Sequence, residues 1–119
     1  MSIRLRHEDG NIYRLDVKGR LRSDELATCQ QALASEIRRG RTVRLLVVLE
    51  AFEGWDPGGA WRDLSFFVRY GDAIERIAIV GEETWRSLAL IFAGVDLRKA
   101  HVEFFAEDGV ANARMWLAA

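Results

Sequence analysis

An α/β fold is predicted: a mostly parallel mixed sheet with an antiparallel hairpin at its edge, in the order β-β-α-β-α-β-α-β-α. Three observations carry it. Two nearly continuous apolar runs, Leu45 to Leu49 and Ile74 to Val80, lack polar alternation, as strands buried on both faces do. The segments between the runs have helical spacing, and strands alternating with helices imply right-handed crossovers. The first twenty residues instead alternate apolar and polar, as an antiparallel pair with one wetter face does.

In chain order, Ile3 to Leu5 and Ile12 to Lys18 read as two short strands. Glu8-Asp9-Gly10-Asn11 between them reads as a hairpin turn, because Gly and Asn tolerate positive φ. Tyr13, Leu15 and Val17 share one face. Gly19 reads as the end of that strand and Ser23 as the N-cap of a helix with Asp24 and Glu25 at its positive end. Leu26, Leu33 and Ile37 form its expected buried stripe, Cys29 its flank, and Gly40 its C-terminal break. Val43 to Leu49, closed by Glu50, is the expected central strand. The loop AFEGWDPGG follows, with the only proline and three glycines.

A second helix is expected from Gly58 or Gly59 to Tyr70. Ala60, Leu64, Phe67 and Val68 mark one stripe, Trp61, Ser65 and Phe66 lie beside it, and Arg62, Asp63 and Arg69 are the polar side. Ile74 to Val80 is the next strand, broken by Gly81. A third helix starts at Glu82 to Thr84, with Trp85, Leu88, Ala89 and Phe92 as its buried stripe and Gly94 as its end. Ala100 to Ala106 is the last strand. A final helix runs from about Glu107 to Leu117, with Val110, Ala113, Trp116 and Leu117 inward, Met115 on the flank and Arg114 in water.

Composition excludes several classes of function. The 119 residues suit one domain, 50% of them are hydrophobic, and the formal net charge is -1, so no basic field recruits nucleic acid. A single cysteine, Cys29, excludes an internal disulfide and a cysteine-based zinc cluster. The charged start MSIRLRHEDG is no signal peptide, and no apolar run reaches the ~18 residues of a membrane span. A cytoplasmic protein is expected.

The segments Leu45 to Asp56, Trp61 to Phe66, Glu75 to Gly81 with Trp85, Val102 to Phe105, and Ala113 with Trp116 and Leu117 resemble the SpoIIAA-like proteins. These are small bacterial proteins of the STAS (sulfate transporter and anti-sigma factor antagonist) fold. The resemblance implies the fold and a regulatory protein–protein role. One departure stands out. Anti-sigma factor antagonists carry a phosphorylatable Ser or Thr at the start of the helix after the central strand. The segment Ala51 to Ala60 has neither, and Ser65 is expected well inside the helix. Asp56 could supply a constant negative charge there, although a helix-capping Asp before Pro57 is the better account.

No catalytic, cofactor or metal site is expected. Cys29 lacks a sequence-adjacent base. Glu50, Glu53 and Asp56 follow no ligand spacing, and Gly54, Gly58 and Gly59 match no phosphate-binding fingerprint. The informative residues are aromatic: too many for the sheet face alone. The expected ligand- or partner-binding set is Trp55, Asp56, Trp61, Leu64, Phe66, Phe67, Trp85 and Phe92, with Trp61 and Phe66 foremost as residues left between the helices or outside. The expected function is non-enzymatic binding of an apolar small molecule or lipid, a membrane surface, or a protein partner or second copy of the chain. The alternative is an anti-sigma antagonist-type regulator acting without a phosphoserine, gripped at the 51–61 loop.

Overall fold

The computed structural model describes every residue except Met1, Ala60, Arg62, Asp96 and Arg98. The expectations for Ala60 in the second helix, and for Arg62 on its polar side, lie outside the described residues.

Five strands form one mixed sheet: β1 (Ile3–Asp9), β2 (Ile12–Leu21), β3 (Val43–Trp55), β4 (Ile74–Val80) and β5 (His101–Phe105), in spatial order β1-β2-β3-β4-β5. β1 and β2 are antiparallel, and all other neighbours are parallel. The turn is Gly10-Asn11, with Gly10 at φ 52°. Four helices connect and follow the strands: α1 (Ser23–Arg38), α2 (Ser65–Tyr70), α3 (Arg86–Phe92) and α4 (Val110–Ala118). The predicted α/β class, the edge hairpin and the element order are all present.

Strand alternation sends the two faces of the sheet into two apolar layers. Tyr13, Leu15, Val17, Val43, Leu45, Leu49, Ile77, Ile79 and Phe104 meet α1, α2 and α3 on one side. Leu46, Ala78 and Val80 meet Ala113 and Leu117 of α4 on the other. Each fully buried Leu or Ile contributes about 1.5–3 kcal/mol relative to exposure. α1 ends as predicted: Gly40 takes φ 87°, and its N–H donates to the Ile37 carbonyl at 2.9 Å.

Several boundaries differ, each for a local reason. Gly19 does not end β2. It sits in a bulge at φ 69°, and the strand runs on to Leu21. The facing strand does the same. Pairing Lys18 with Glu50 and then Arg20 with Gly54 sets three residues of β3 against one of β2. Ala51 at φ 46° and Gly54 at φ 99° absorb the distortion, so β3 continues through most of the predicted loop. α1 begins at Ser23, with Arg22 in the cap position. Its buried residues are Cys29, Leu33 and Ala34, with Leu26 and Ile37 half-buried, so Cys29 is on the inward face rather than the flank.

The predicted second helix is the largest correction. Only Ser65–Tyr70 is α-helical, followed by a 3-10 turn at Gly71–Ala73. Ser65 is therefore the first helical residue and exposed, not interior. Asp63 turns the chain into the helix, its Oδ1 accepting the Ser65 backbone N–H at 3.0 Å. The third helix opens with a 3-10 turn at Glu83–Trp85, and its inward residues are Trp85, Ala89, Leu90 and Ala93. Leu88 and Phe92, predicted to be buried, are 52% and 43% exposed. α4 starts at Val110, and Arg114 pairs with Glu8 of β1 instead of pointing freely to water.

Candidate functional site

The bulge turns Phe52 and Trp55 toward the helices at the carboxyl end of β3. There they meet the start and end of α3. Phe52 lies edge-on to Trp85 at 4.9 Å and to Trp55 at 5.1 Å between ring centroids. Trp55 contacts Trp85 at 6.1 Å and Phe92 at 5.2 Å. Phe92 in turn meets Trp61 at 5.6 Å. Such pairs add about 0.5–1.5 kcal/mol each beyond the area they bury. Gly54 allows the closest approach, because a Cβ there would lie 3.4 Å from the Trp85 ring.

Asp56 organises the turn after the strand. Its N–H donates to the Leu21 carbonyl at 2.8 Å, and its Oδ1 accepts the Gly58 N–H at 3.1 Å. Its own carbonyl accepts the Trp61 indole N–H at 2.6 Å. A carboxylate so engaged forms a turn and caps no helix, because α2 starts only at Ser65, which corrects the helix-capping account. Gly59 leaves room for the indole, since a Cβ on it would fall 2.6 Å from Trp61 Nε1. Trp55 Nε1 is buried with no acceptor among the described residues.

Of the eight predicted residues, Trp55, Trp61, Trp85 and Phe92 thus share one cluster, with Asp56 tying down its loop. Phe66 and Phe67 stand apart on α2. Both are half-buried, and Phe66 packs on the core and on Tyr70 at 5.4 Å. Trp61 and Phe66, expected between the helices or outside, are partly buried against the core. Leu64 caps α2 and is 59% exposed. The exposed large apolar side chains among the described residues are Leu64, Val68, Leu88, Ile91, Phe92, Leu97 and Met115. All but Met115 lie on α2, on α3 or in the chain directly before α2 or after α3. Sequence reasoning missed Val68, Leu88, Ile91 and Leu97 as outward groups and Phe52 as the cluster's buried base. For Leu88 and Ile91 the signal was the unbroken apolar run Leu88 to Phe92, which has no polar side to orient it.

The remaining chemistry is sparse. Glu50 and Glu53 are exposed, and no group of three potential metal ligands occurs among the described residues. Burial pushes the Cys29 thiol up, with the charge of Glu25 adding to it, which disfavours the thiolate. The Ser65 hydroxyl, and then its backbone N–H, hold the Asp63 carboxyl below its ordinary range. No described helix is long and apolar enough to cross a membrane.

A family model described as SpoIIAA-like matches residues 12–118. Among solved structures, the chain is similar to the crystal structure of an uncharacterised protein with a SpoIIAA-like fold from Shewanella loihica PV-4. The TM-score is 0.72 at 23% identity, covering 97% of this chain and 91% of that one. At this identity the likeness shows the fold alone. No curated protein matches the chain.

Proposed function

Because the chain belongs to the SpoIIAA-like family, we propose that it is a non-enzymatic binding module that docks a protein partner on the apolar face of α2 and α3. The observation that carries this reading is the exposure of large apolar side chains on both helices: Leu64 and Val68 at α2, and Leu88, Ile91 and Phe92 on α3, with Leu97 after it. Apolar patches of this kind on a soluble fold mark interaction sites. The aromatic cluster beneath it supplies a rigid floor, as interface anchors require.

Two other occupants fit less well. A buried acyl ligand needs a cavity, whereas the rings of Phe52, Trp55, Trp85, Phe92 and Trp61 touch one another and fill the space under α3. An anionic membrane needs a basic rim. Here Arg86 is neutralised by Glu83 at 2.6 Å and Lys99 faces Asp72 at 3.8 Å, so Arg69 of α2 has no unpaired counterpart on α3 among the described residues. The regulatory protein–protein role implied by the family would place the partner on the 51–61 loop, whose Trp61 meets Phe92 of α3.

A photo-crosslinking amino acid placed at Ile91 tests this in cells, with Met115 on α4, 71% exposed, as the control position. A discrete protein adduct is expected from position 91 and none from 115. An adduct of twice the chain's mass would identify the partner as a second copy. Equal labelling at both positions, or flotation of the purified protein with anionic liposomes and no adduct, would overturn the reading.

A further inference from the structure

A cleft of about 460 Å³ lies between α1 and α2, lined by residues other than the exposed apolar Leu64 and Val68. That volume lies in the range of small-molecule sites. Its walls are unlike the rest of the surface. Arg38 comes from the last turn of α1 and Arg69 from α2, and neither has a carboxylate partner among the described residues. Their neighbours do: Arg39 and Arg41 both reach Glu36, at 3.4 and 3.6 Å.

Tyr70 holds the two guanidiniums at one place. Arg38 Nη1 donates to its hydroxyl at 2.9 Å, and the Arg69 guanidinium lies 5.7 Å from its ring centroid. Arg38 Nη2 also donates to Ser35 Oγ at 3.3 Å. Both cations are thus oriented by neutral groups and keep donors for a ligand. Phe66, 5.4 Å from Tyr70, gives the cleft an aromatic floor. Asp63 is the one acid lining it, and its Oδ1 is committed to the Ser65 N–H. Two guanidiniums against one engaged carboxylate leave a positive mouth.

We propose that this cleft binds a small molecule bearing an oxyanion, with Arg38 and Arg69 on the anionic group and Phe66 and Tyr70 against its body. Phosphate and carboxylate share the recognition chemistry, since a guanidinium fork meets either through paired N–H donors. The site is independent of the apolar docking face, so either can fail alone.

The test is a ¹⁵N NMR titration of the whole chain at low, constant ionic strength with inorganic phosphate, acetate and adenosine monophosphate, and with sodium chloride as reference. Saturable shifts confined to residues 30–38 and 63–70 are expected with phosphate, and tighter binding is expected for the mononucleotide, whose base can stack. Saturation by acetate in place of phosphate would still place an oxyanion there and identify a carboxylate ligand. The double variant Arg38→Gln/Arg69→Gln should weaken binding about tenfold or more, whereas Arg4→Gln on β1 should not. No saturable response to any probe beyond sodium chloride would overturn the proposal. So would equal weakening in both variants.

Discussion

At the scale of single residues, the bulge in β3 decides most. Ala51 holds φ 46° and Gly54 φ 99°, and the two differ in what they tolerate. Left-handed backbone costs an L-residue about 1–2 kcal/mol, and glycine avoids that cost at about 0.5–1 kcal/mol of entropy. Ala51→Gly should therefore be neutral or stabilising by up to about 1 kcal/mol. Gly54→Ala should destabilise by about 1–2 kcal/mol, since it puts an L-residue in the left-handed region, while the added methyl would meet Trp85 at an ordinary 3.4 Å. Urea unfolding of both variants checks this, and equal midpoints would contradict it. Gly59→Ala should displace Trp61 from the Asp56 carbonyl, read as a red shift in tryptophan emission. Phe52 was illegible in the sequence for the same backbone reason. The inward residues run Leu49, Phe52, Trp55, a spacing of three that fits no strand alternation, and Glu50, Glu53 and Gly54 make the stretch look like a loop. Trp55, Trp61, Trp85 and Phe92 were legible because indoles and phenyl rings are conspicuous wherever they sit.

At the scale of elements, the strands were readable and the short helices were not. β3 and β4 are buried on both faces, and their aliphatic runs announce it. α2 and α3 have too few polar residues, Ser65 and Arg69 in one and Arg86 and Ser87 in the other, for periodicity to choose an inward side. α3 is turned so that Trp85, Ala89, Leu90 and Ala93 face the sheet and Leu88, Ile91 and Phe92 do not. α1, with a polar side, was placed with Cys29 misassigned to the flank and Ser23 to the N-cap. Its start is tied to β1 by Glu25, whose Oε1 accepts the Ser2 N–H at 2.6 Å and also the Ser2 hydroxyl. The hydroxyl first, then the backbone N–H, hold the Glu25 carboxyl below its ordinary value of 4.5. A lowered folded pKa means the contribution is present above the unfolded value and lost as pH falls through the folded one. Thermal midpoints should therefore drop between about pH 6 and about pH 3 more steeply in the wild type than in Glu25→Gln. Parallel curves would show that the contact carries no linkage.

At the scale of the whole molecule, the two sheet faces are covered unequally. Three helices share the first face, while α4 alone closes the second over β3, β4 and β5. Leu117, Ala113 and Leu46 are each 0% exposed there. The end of α4 is held by the sheet itself: Arg76 Nη1 donates to the Trp116 carbonyl at 2.6 Å, and Arg44 Nη1 donates to the Leu117 carbonyl. Cations at unpaired C-terminal carbonyls favour the helix end by satisfying its acceptors and its dipole. The Arg76 guanidinium also lies 5.2 Å from the Trp116 ring centroid. Nothing else among the described residues covers Leu46, Ala78 and Val80, so this layer has no reserve. Leu117→Ala should cost about 2–5 kcal/mol, a large share of the roughly 5–15 kcal/mol that holds a domain of this size. Arg76→Met, which leaves the layer packed, should cost only about 1–2 kcal/mol. Removing residues 110–119 should leave a chain that binds a hydrophobic dye and loses cooperative unfolding. Calorimetry of the three variants gives the comparison. A truncated chain that still melted in one sharp transition would mean that the first face alone sustains the fold, and that α4 is an accessory to it.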